Sequence, residues 1–350
     1  MSRGRAEGVG RAVLAAASAL AVGCAEPPVV PGARWEERSP AALGFEESLL
    51  ETFAQRVGGD GVVVREGYLA KAWGHPDDSG DWGSAAKPVL STLLWFAVSE
   101  GRISGVEERV APWVRRRFAG AELEPGQREM RFEHLAHMTS GYARGEEPGT
   151  HWAYNDFGTR LLAELLVEVF GSPLEQVLQE RLGALRFEGR AVMGSRGGAG
   201  IVASPKDFAR IGLWWLRRGR WKYRQLLPRR VFSAYLEPRV PADLPRSETA
   251  GSDYLNVGSF GGRSDQDYFG QGRYGFFWWF NRALPDGSLP LQHLPEEAFY
   301  ALGHNGREVL LILPGWRVVA AARGDWGGQE LDHARWLIRS LERGRARRLR

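Results

Sequence analysis

The sequence predicts an α+β domain, and three observations carry that reading. Segments rich in β-formers lie near both ends: G-D-G-V-V-V-R-E-G-Y-L-A-K-A-W-G from Gly59, then Y-G-F-F-W-W-F-N from Tyr274, E-V-L-L-I-L-P from Glu308 and R-V-V-A-A-A-R from Arg317. Between them, from Ser84 to about Leu185, the spacing is mainly helical, clearest in L-L-A-E-L-L-V-E-V-F from Leu161 and L-E-Q-V-L-Q-E-R-L from Leu174. Strands that flank a helical middle indicate one discontinuous sheet rather than two successive domains. The length of 350 residues, 43% of them hydrophobic and 25% charged, can bury a substantial core.

The first element in the chain is an address. A basic start is followed by A-V-L-A-A-A-S-A-L-A-V, from Ala12 to Val22, and then by Gly23 and Cys24. The apolar run is shorter than the roughly 20 residues of a membrane-spanning helix, so residues 1–23 read as a signal peptide. L-A-V-G-C also resembles the bacterial lipoprotein box, with Ala21 where leucine is commoner. That resemblance implies export, lipid attachment at Cys24 and anchoring at the cell envelope. The alternative is an ordinary secretory signal with an incidental cysteine. Cys24 is the only cysteine, so no internal disulfide and no second thiol are available. Residues 24–43, with E-P-P-V-V-P-G-A-R, have the composition of a tether.

Residues 44–341 then form the predicted domain, with a sheet region at 44–83 and 270–341 and a helical region at 84–227. F-E-E-S-L-L-E-T-F-A-Q-R-V from Phe45 opens it as a helix, a hairpin follows from Gly59, and a last helix spans about Leu331 to Leu341. Residues 342–350 read as a solvated basic tail. No aromatic residues are interleaved with its arginines, which argues against nucleic acid as a partner. The net charge of +4 is modest, and Lys71, Lys87, Lys206 and Lys222 are the only lysines. G-Q-G-R-Y-G from Gly270 matches a dinucleotide fingerprint as a string, but an aromatic strand follows it instead of a helix N-terminus. His134 and His137 share a helical face without a third ligand placed by motif, so no metal is expected. No cofactor is expected either. The esterase elbow G-x-S-x-G is absent.

One pair carries chemistry. In D-W-G-S-A-A-K-P-V-L-S, Ser84 and Lys87 stand three residues apart at the head of an apolar helix, so the amine faces the hydroxyl. A serine there has a backbone N–H available to a developing oxyanion. Pro88 is tolerated in a first turn. Alone, the pair reads better as a capping serine and a snorkelling lysine than as a catalytic pair.

Four further segments accompany it in order: R-F-E-H-L-A-H-M-T-S-G-Y from Arg131, G-T-H-W-A-Y-N-D-F-G from Gly149, A-S-P-K-D-F-A-R-I-G-L from Ala203 and Y-A-L-G-H-N-G-R-E-V-L-L from Tyr300. Together with S-A-A-K they resemble the S-x-x-K, H-T-S-G, Y-x-N, D-x-A-R-x-G and H-x-G segments of class C β-lactamases and the penicillin-binding-protein-like serine hydrolases. The resemblance implies a β-lactamase/transpeptidase-like fold: an antiparallel sheet of about five strands flanked by terminal helices, with an all-helical subdomain. It implies Ser84 as nucleophile, Lys87 and Tyr154 as the groups that move its proton, and His304 beside Tyr154. It also implies the backbone N–H of Arg307 as second oxyanion donor, with Gly306 letting the strand approach substrate.

Two departures bear on substrate. Asp156 stands where the family commonly has asparagine, and a carboxylate cannot donate to a substrate carbonyl. It is placed instead to pair with Lys87, which moves base duty to Tyr154. Asn155 points elsewhere. His304 replaces a lysine and is a poor clamp for a substrate carboxylate, a part left to Arg307. The expectation is an acyl-enzyme hydrolase of an ester or amide, with a small ester, amide or peptide as substrate. A non-turnover penicillin-binding or sensor lipoprotein on the same fold is the alternative. A true β-lactamase or D-Ala-D-Ala carboxypeptidase is a further one. Trp278, Trp279 and Trp326 read as core, and 228–269 as a wall of the cleft.

Overall fold

In a computed structural model, residues 29–189, 191–195, 200–259 and 268–348 are described. The predicted signal peptide and Cys24 lie outside them. The chain enters as α1 (Glu47–Val57), then β1 (Asp60–Arg65) and β2 (Tyr68–Trp73). Glu66 and Gly67, both with positive φ (56° and 97°), make the two-residue turn between them, the geometry that matches strand twist in a hairpin. A short β3 (Gly80–Asp81) precedes a 3-10 turn, Gly83–Ala86, that runs directly into α2 (Lys87–Ser99). The helical region holds α3 (Ala111–Arg117), α4 (Phe132–His137), α5 (Asp156–Phe170) and α6 (Leu174–Leu182). Next come β4 (Val192–Ser195), β5 (Gly200–Ala203), α7 (Pro205–Leu216), β6 (Arg220–Trp221), β7 (Arg224–Gln225) and α8 (Arg229–Tyr235). The chain closes with β8 (Tyr274–Gly275), β9 (Trp278–Phe280), β10 (Phe299–Gly303), β11 (Glu308–Leu313), β12 (Val318–Arg323) and α9 (Ala334–Arg348).

Strands from the two ends of the chain join one antiparallel sheet, ordered β2-β1-β12-β11-β10-β9-β8. The junction is β1 on β12, with Val62 opposite Ala321. It has seven strands rather than about five. One extra strand is β10, ahead of the H-x-G segment, and the other arises at Tyr274, where one predicted strand folds back as β8 and β9, with Phe276 and Phe277 at φ of 50° and 66°. Consecutive residues of β11 and β12 are buried, so both faces of the sheet are covered. On one side α7 packs against β1, β11 and β12. Gly212 permits this: a Cβ there would lie 2.6 Å from Val319 Cγ1 and 2.8 Å from Leu310 Cδ1. Helices α1 and α9 pack on each other.

The helical region is not purely helical, because β3, β5 and β4 form a small separate sheet at its base. The basic C-terminus also differs from the predicted tail. Helix α9 continues to Arg348, with Arg343, Arg345 and Arg347 exposed along it. Among the described residues no helix is long and apolar enough to cross a membrane.

Candidate active site

The nucleophile turn is fixed from behind by Trp82. Its backbone N–H donates to Ile201 O at 3.1 Å, its indole donates to Ala203 O at 2.9 Å, and its ring stacks on Phe208 at 4.2 Å. Gly83 follows with φ of 50°, its N–H bonded to Asp81 Oδ1 at 2.9 Å. Ser84 is therefore presented on a 3-10 turn, partly exposed, while Lys87 begins α2 and is 3% exposed. Burying Lys87 is possible only because it is surrounded by oxygens.

Those oxygens are Ser84 Oγ at 2.5 Å, Tyr154 Oη at 2.9 Å and Asp156 Oδ1 at 2.9 Å. Ser84 and Tyr154 accept hydrogen bonds from the ammonium, and Asp156 supplies an ion pair. Burial opposes the charge on Lys87, but the negative charge and hydrogen bonds of Asp156 and Tyr154 outweigh it, and the amine is held above its ordinary range. Lys87 is thus a fixed cation rather than a ready base.

Tyr154 and Asp156 reach the lysine because the chain between α4 and α5 is tied down on both sides of them. Ala153 N–H donates to Met138 O at 3.0 Å, and Asn155 N–H points at Met138 Sδ at 3.4 Å. Met138 sits in the left-handed region, φ 61°, and ends α4. Asn155 points away from the site, as expected from the sequence. It caps α5 by accepting from Gly158 N–H at 3.1 Å and donates to Tyr142 O at 2.6 Å. Asp156 is then the first residue of α5, where the helix dipole favours a carboxylate.

The H-x-G segment differs from its expected geometry. His304 hydrogen-bonds through Nδ1 to Glu308 Oε2 at 2.7 Å, a partner not foreseen, and its ring lies over Gly83. A Cβ on Gly83 would be 2.7 Å from His304 Cε1, so the histidine borders the nucleophile from the Gly83 side. The backbone N–H of Arg307 does not face substrate: it donates to Gly303 O at 3.0 Å within the β10–β11 turn, and its side chain is exposed. Gly306, φ 86°, is required by the Gly328 backbone, whose oxygen would lie 2.2 Å from a Cβ there. The glycine that lets the sheet approach the nucleophile is Gly303, where a Cβ would lie 2.8 Å from Trp82 O and 3.2 Å from Ala85 N.

Tyr268 was not anticipated. Its ring lies 4.7 Å from that of Tyr154, and burial first, with the neighbouring Tyr154 charge, pushes its phenol up to about 12. It also lines a pocket of about 390 Å³ with Phe269, Arg273, Trp279 and Leu302. Trp278 and Trp326 are fully buried core, whereas Trp279, 3% exposed, contributes to this pocket. His134 accepts from the Arg131 N–H at 3.2 Å, and burial lowers it to about 4. His137, more deeply buried, packs on Phe276 and is lowered to about 3. No group of three metal-ligating side chains occurs among the described residues.

Residues 49–188 match the β-lactamase family model. No curated protein matches the chain. Among solved structures, a putative 6-aminohexanoate-dimer hydrolase from Bacillus anthracis is 16% identical and superposes with a TM-score of 0.62, over 92% of this chain and 89% of that one. A β-lactamase/D-alanine carboxypeptidase from Yersinia pestis is 15% identical with a TM-score of 0.58, over 87% and 98%. EstCE1, a hydrolase with promiscuous acyltransferase activity, is 13% identical with a TM-score of 0.58, over 86% and 99%. The chain carries the β-lactamase/transpeptidase-like fold, and its residues 49–188 match the β-lactamase family model.

Proposed function

We propose that the protein hydrolyses a small ester or amide through an acyl-enzyme on Ser84. The observation that carries this is the chain of contacts from Ser84 Oγ to Lys87 Nζ and on to Tyr154 Oη, at 2.5 and 2.9 Å. Because Asp156 holds Lys87 protonated, Tyr154 is the base. Lys87 bridges the two hydroxyls, so it takes the Ser84 proton and passes one of its own to the deprotonated Tyr154 oxygen while Oγ bonds to the substrate carbonyl carbon. Collapse of the tetrahedral adduct expels the alcohol or amine, which leaves with that proton. Water then attacks the acyl-enzyme by the same route, releasing the acid and restoring Ser84. The Ser84 N–H is one oxyanion donor.

Two features support an ester or amide over a β-lactam. Asp156 cannot donate to a substrate carbonyl. His304 is occupied by Glu308. Turnover of a p-nitrophenyl ester with little of a cephalosporin is the expected result. Efficient cephalosporin hydrolysis replaces this reading with the β-lactamase one. A label that forms on Ser84 and never clears replaces it with the sensor. Export and lipid attachment at Cys24 belong to the same proposal. An unchanged membrane fraction in Cys24→Ser, with no acyl mass on the native chain, contradicts them.

A further inference from the structure

Between Asp207 and Glu237 the chain carries no acidic residue and eight basic ones. Arg210 and Arg217 are turned inward, Arg210 onto Glu188 and Arg217 onto the Val29 carbonyl. The other six, on and around the β6–β7 hairpin and the start of α8, are exposed. Among the described residues none of these six is in an ion pair. The hairpin tip is Tyr223, 83% exposed and the most exposed large apolar side chain described. An unpaired basic hairpin with an aromatic tip is costly to leave bare without a use, since it repels itself and wets a ring.

Its position gives it an occupant. Arg217, the residue that ends α7, grips Val29, and Val29 O also presses on Gly67, where a Cβ would be 1.9 Å away. The described chain begins there, at the hairpin's root. Cys24 is five residues earlier, a reach of about 17 Å at full extension. Neighbouring basic groups point to the same end of the sheet. Arg317 is exposed in the turn before β12, and Arg345 of α9 lies 6.0 Å from the Trp316 ring. Of the acids near this end, Glu66 is already paired with Arg317 at 2.9 Å, while Glu36 and Glu37 are exposed beside Leu69.

We infer that the β6–β7 hairpin is a membrane-docking surface: Arg220, Lys222 and Arg224 meet the phosphates of anionic lipids, and Tyr223 enters the headgroup layer. This goes beyond the hydrolase reading and does not depend on it. It agrees with the proposed anchor at Cys24, because a lipid held there confines the hairpin to the bilayer surface. It also orients the enzyme. Helix α7 starts beside Ser204, close to Trp82 and the nucleophile turn, and ends at the hairpin, so its 12 residues, about 18 Å long, separate the cleft from the docking surface.

The test uses protein beginning at Glu26, which keeps every described residue of the fold and omits both the leader and Cys24. Sedimentation with vesicles of equal phosphatidylglycerol and phosphatidylcholine is compared with pure phosphatidylcholine, at low and high salt. Binding only to the anionic vesicles, weakened by salt, is expected. Arg220→Glu, Lys222→Glu and Arg224→Glu together should lower partitioning at least about a hundredfold, and Tyr223→Ala should lower it further. The same charge change at Arg56, Arg128 and Arg282, exposed elsewhere, should alter it by far less. Equal binding to uncharged vesicles, equal loss in the two triple variants, or tighter binding to duplex DNA than to the anionic vesicles overturns the inference. Since Cys24 is absent throughout, these outcomes are separate from those that test the anchor.

Discussion

Replacing Asp156 by asparagine removes one charge from the site and almost no volume, and its consequences follow from the ion pair. At 2.9 Å the attraction between Lys87 and Asp156 is about 6 kcal/mol at an effective dielectric constant near 20, equivalent to about four pKa units. Burial, the largest influence on Lys87, opposes its charge, so without the carboxylate the amine should fall below its ordinary 10.5. The sign of the pH effect follows. In the wild type the folded-state pKa lies above the unfolded one, so the contribution of Lys87 is complete below about pH 10.5 and is lost as the pH rises through the folded value. In Asp156→Asn the folded value lies below the unfolded one. The unfolded chain then binds more protons, and stability rises between the two values by up to about 1.4 kcal/mol per pH unit. Urea unfolding at about pH 7.5, 8.5 and 9.5 reads this directly: the variant starts some 3–5 kcal/mol less stable, the usual cost of a broken buried pair, and the gap narrows as pH rises. The rate profile should move with it, because a neutral Lys87 becomes a second base for the Ser84 proton. A gap independent of pH, with an unmoved rate profile, would refute the claim that Asp156 keeps Lys87 charged.

Tyr154→Phe should lower kcat/KM by about a hundred- to ten-thousandfold, the span for loss of a general base, while circular dichroism stays native. A smaller loss moves base duty elsewhere. Acid should destabilise the fold through its histidines. His137 and His134 are depressed to about 3 and about 4, so their contribution is present above pH 6.5 and is lost as pH falls toward those values. His137→Phe should flatten that loss in urea unfolding, since a phenylalanine cannot be protonated and removes the Nε2 that lacks a partner among the described residues. An acid limb identical to wild type would contradict the assignment.

Much of the site was legible because its logic is local. Ser84 and Lys87 lie on one turn, and Asp156 paired with Lys87 follows from putting a carboxylate where an amide is usual. Asn155 could be set aside because a residue before a helix is used as its cap. What was illegible depends on distant contacts. Phe276 and Phe277 form a turn in the left-handed region without a glycine or asparagine to announce it. Ser91 Oγ donating to Phe276 O at 2.8 Å, and Phe277 N–H donating to Ala136 O at 3.1 Å, hold it from elsewhere in the fold. Periodicity therefore gave one strand where there are two. Arg307 was misplaced because β11 starts one residue after it, and so short a turn needs its N–H for Gly303. Gly303 itself, ending an apolar strand, was a signal that could have been used. Tyr268 belongs to no motif, and only the folded chain brings it to Tyr154.

The central claim is that Ser84 is the nucleophile, and a single mass measurement tests it most directly. Intact protein is weighed before and after treatment with a fluorophosphonate, beside Ser84→Ala. The account predicts one phosphonyl adduct per chain on the wild type, located on the peptide that carries Ser84, and none on the variant. Equal labelling of both proteins, or an unlabelled wild type whose fold is intact, would contradict it.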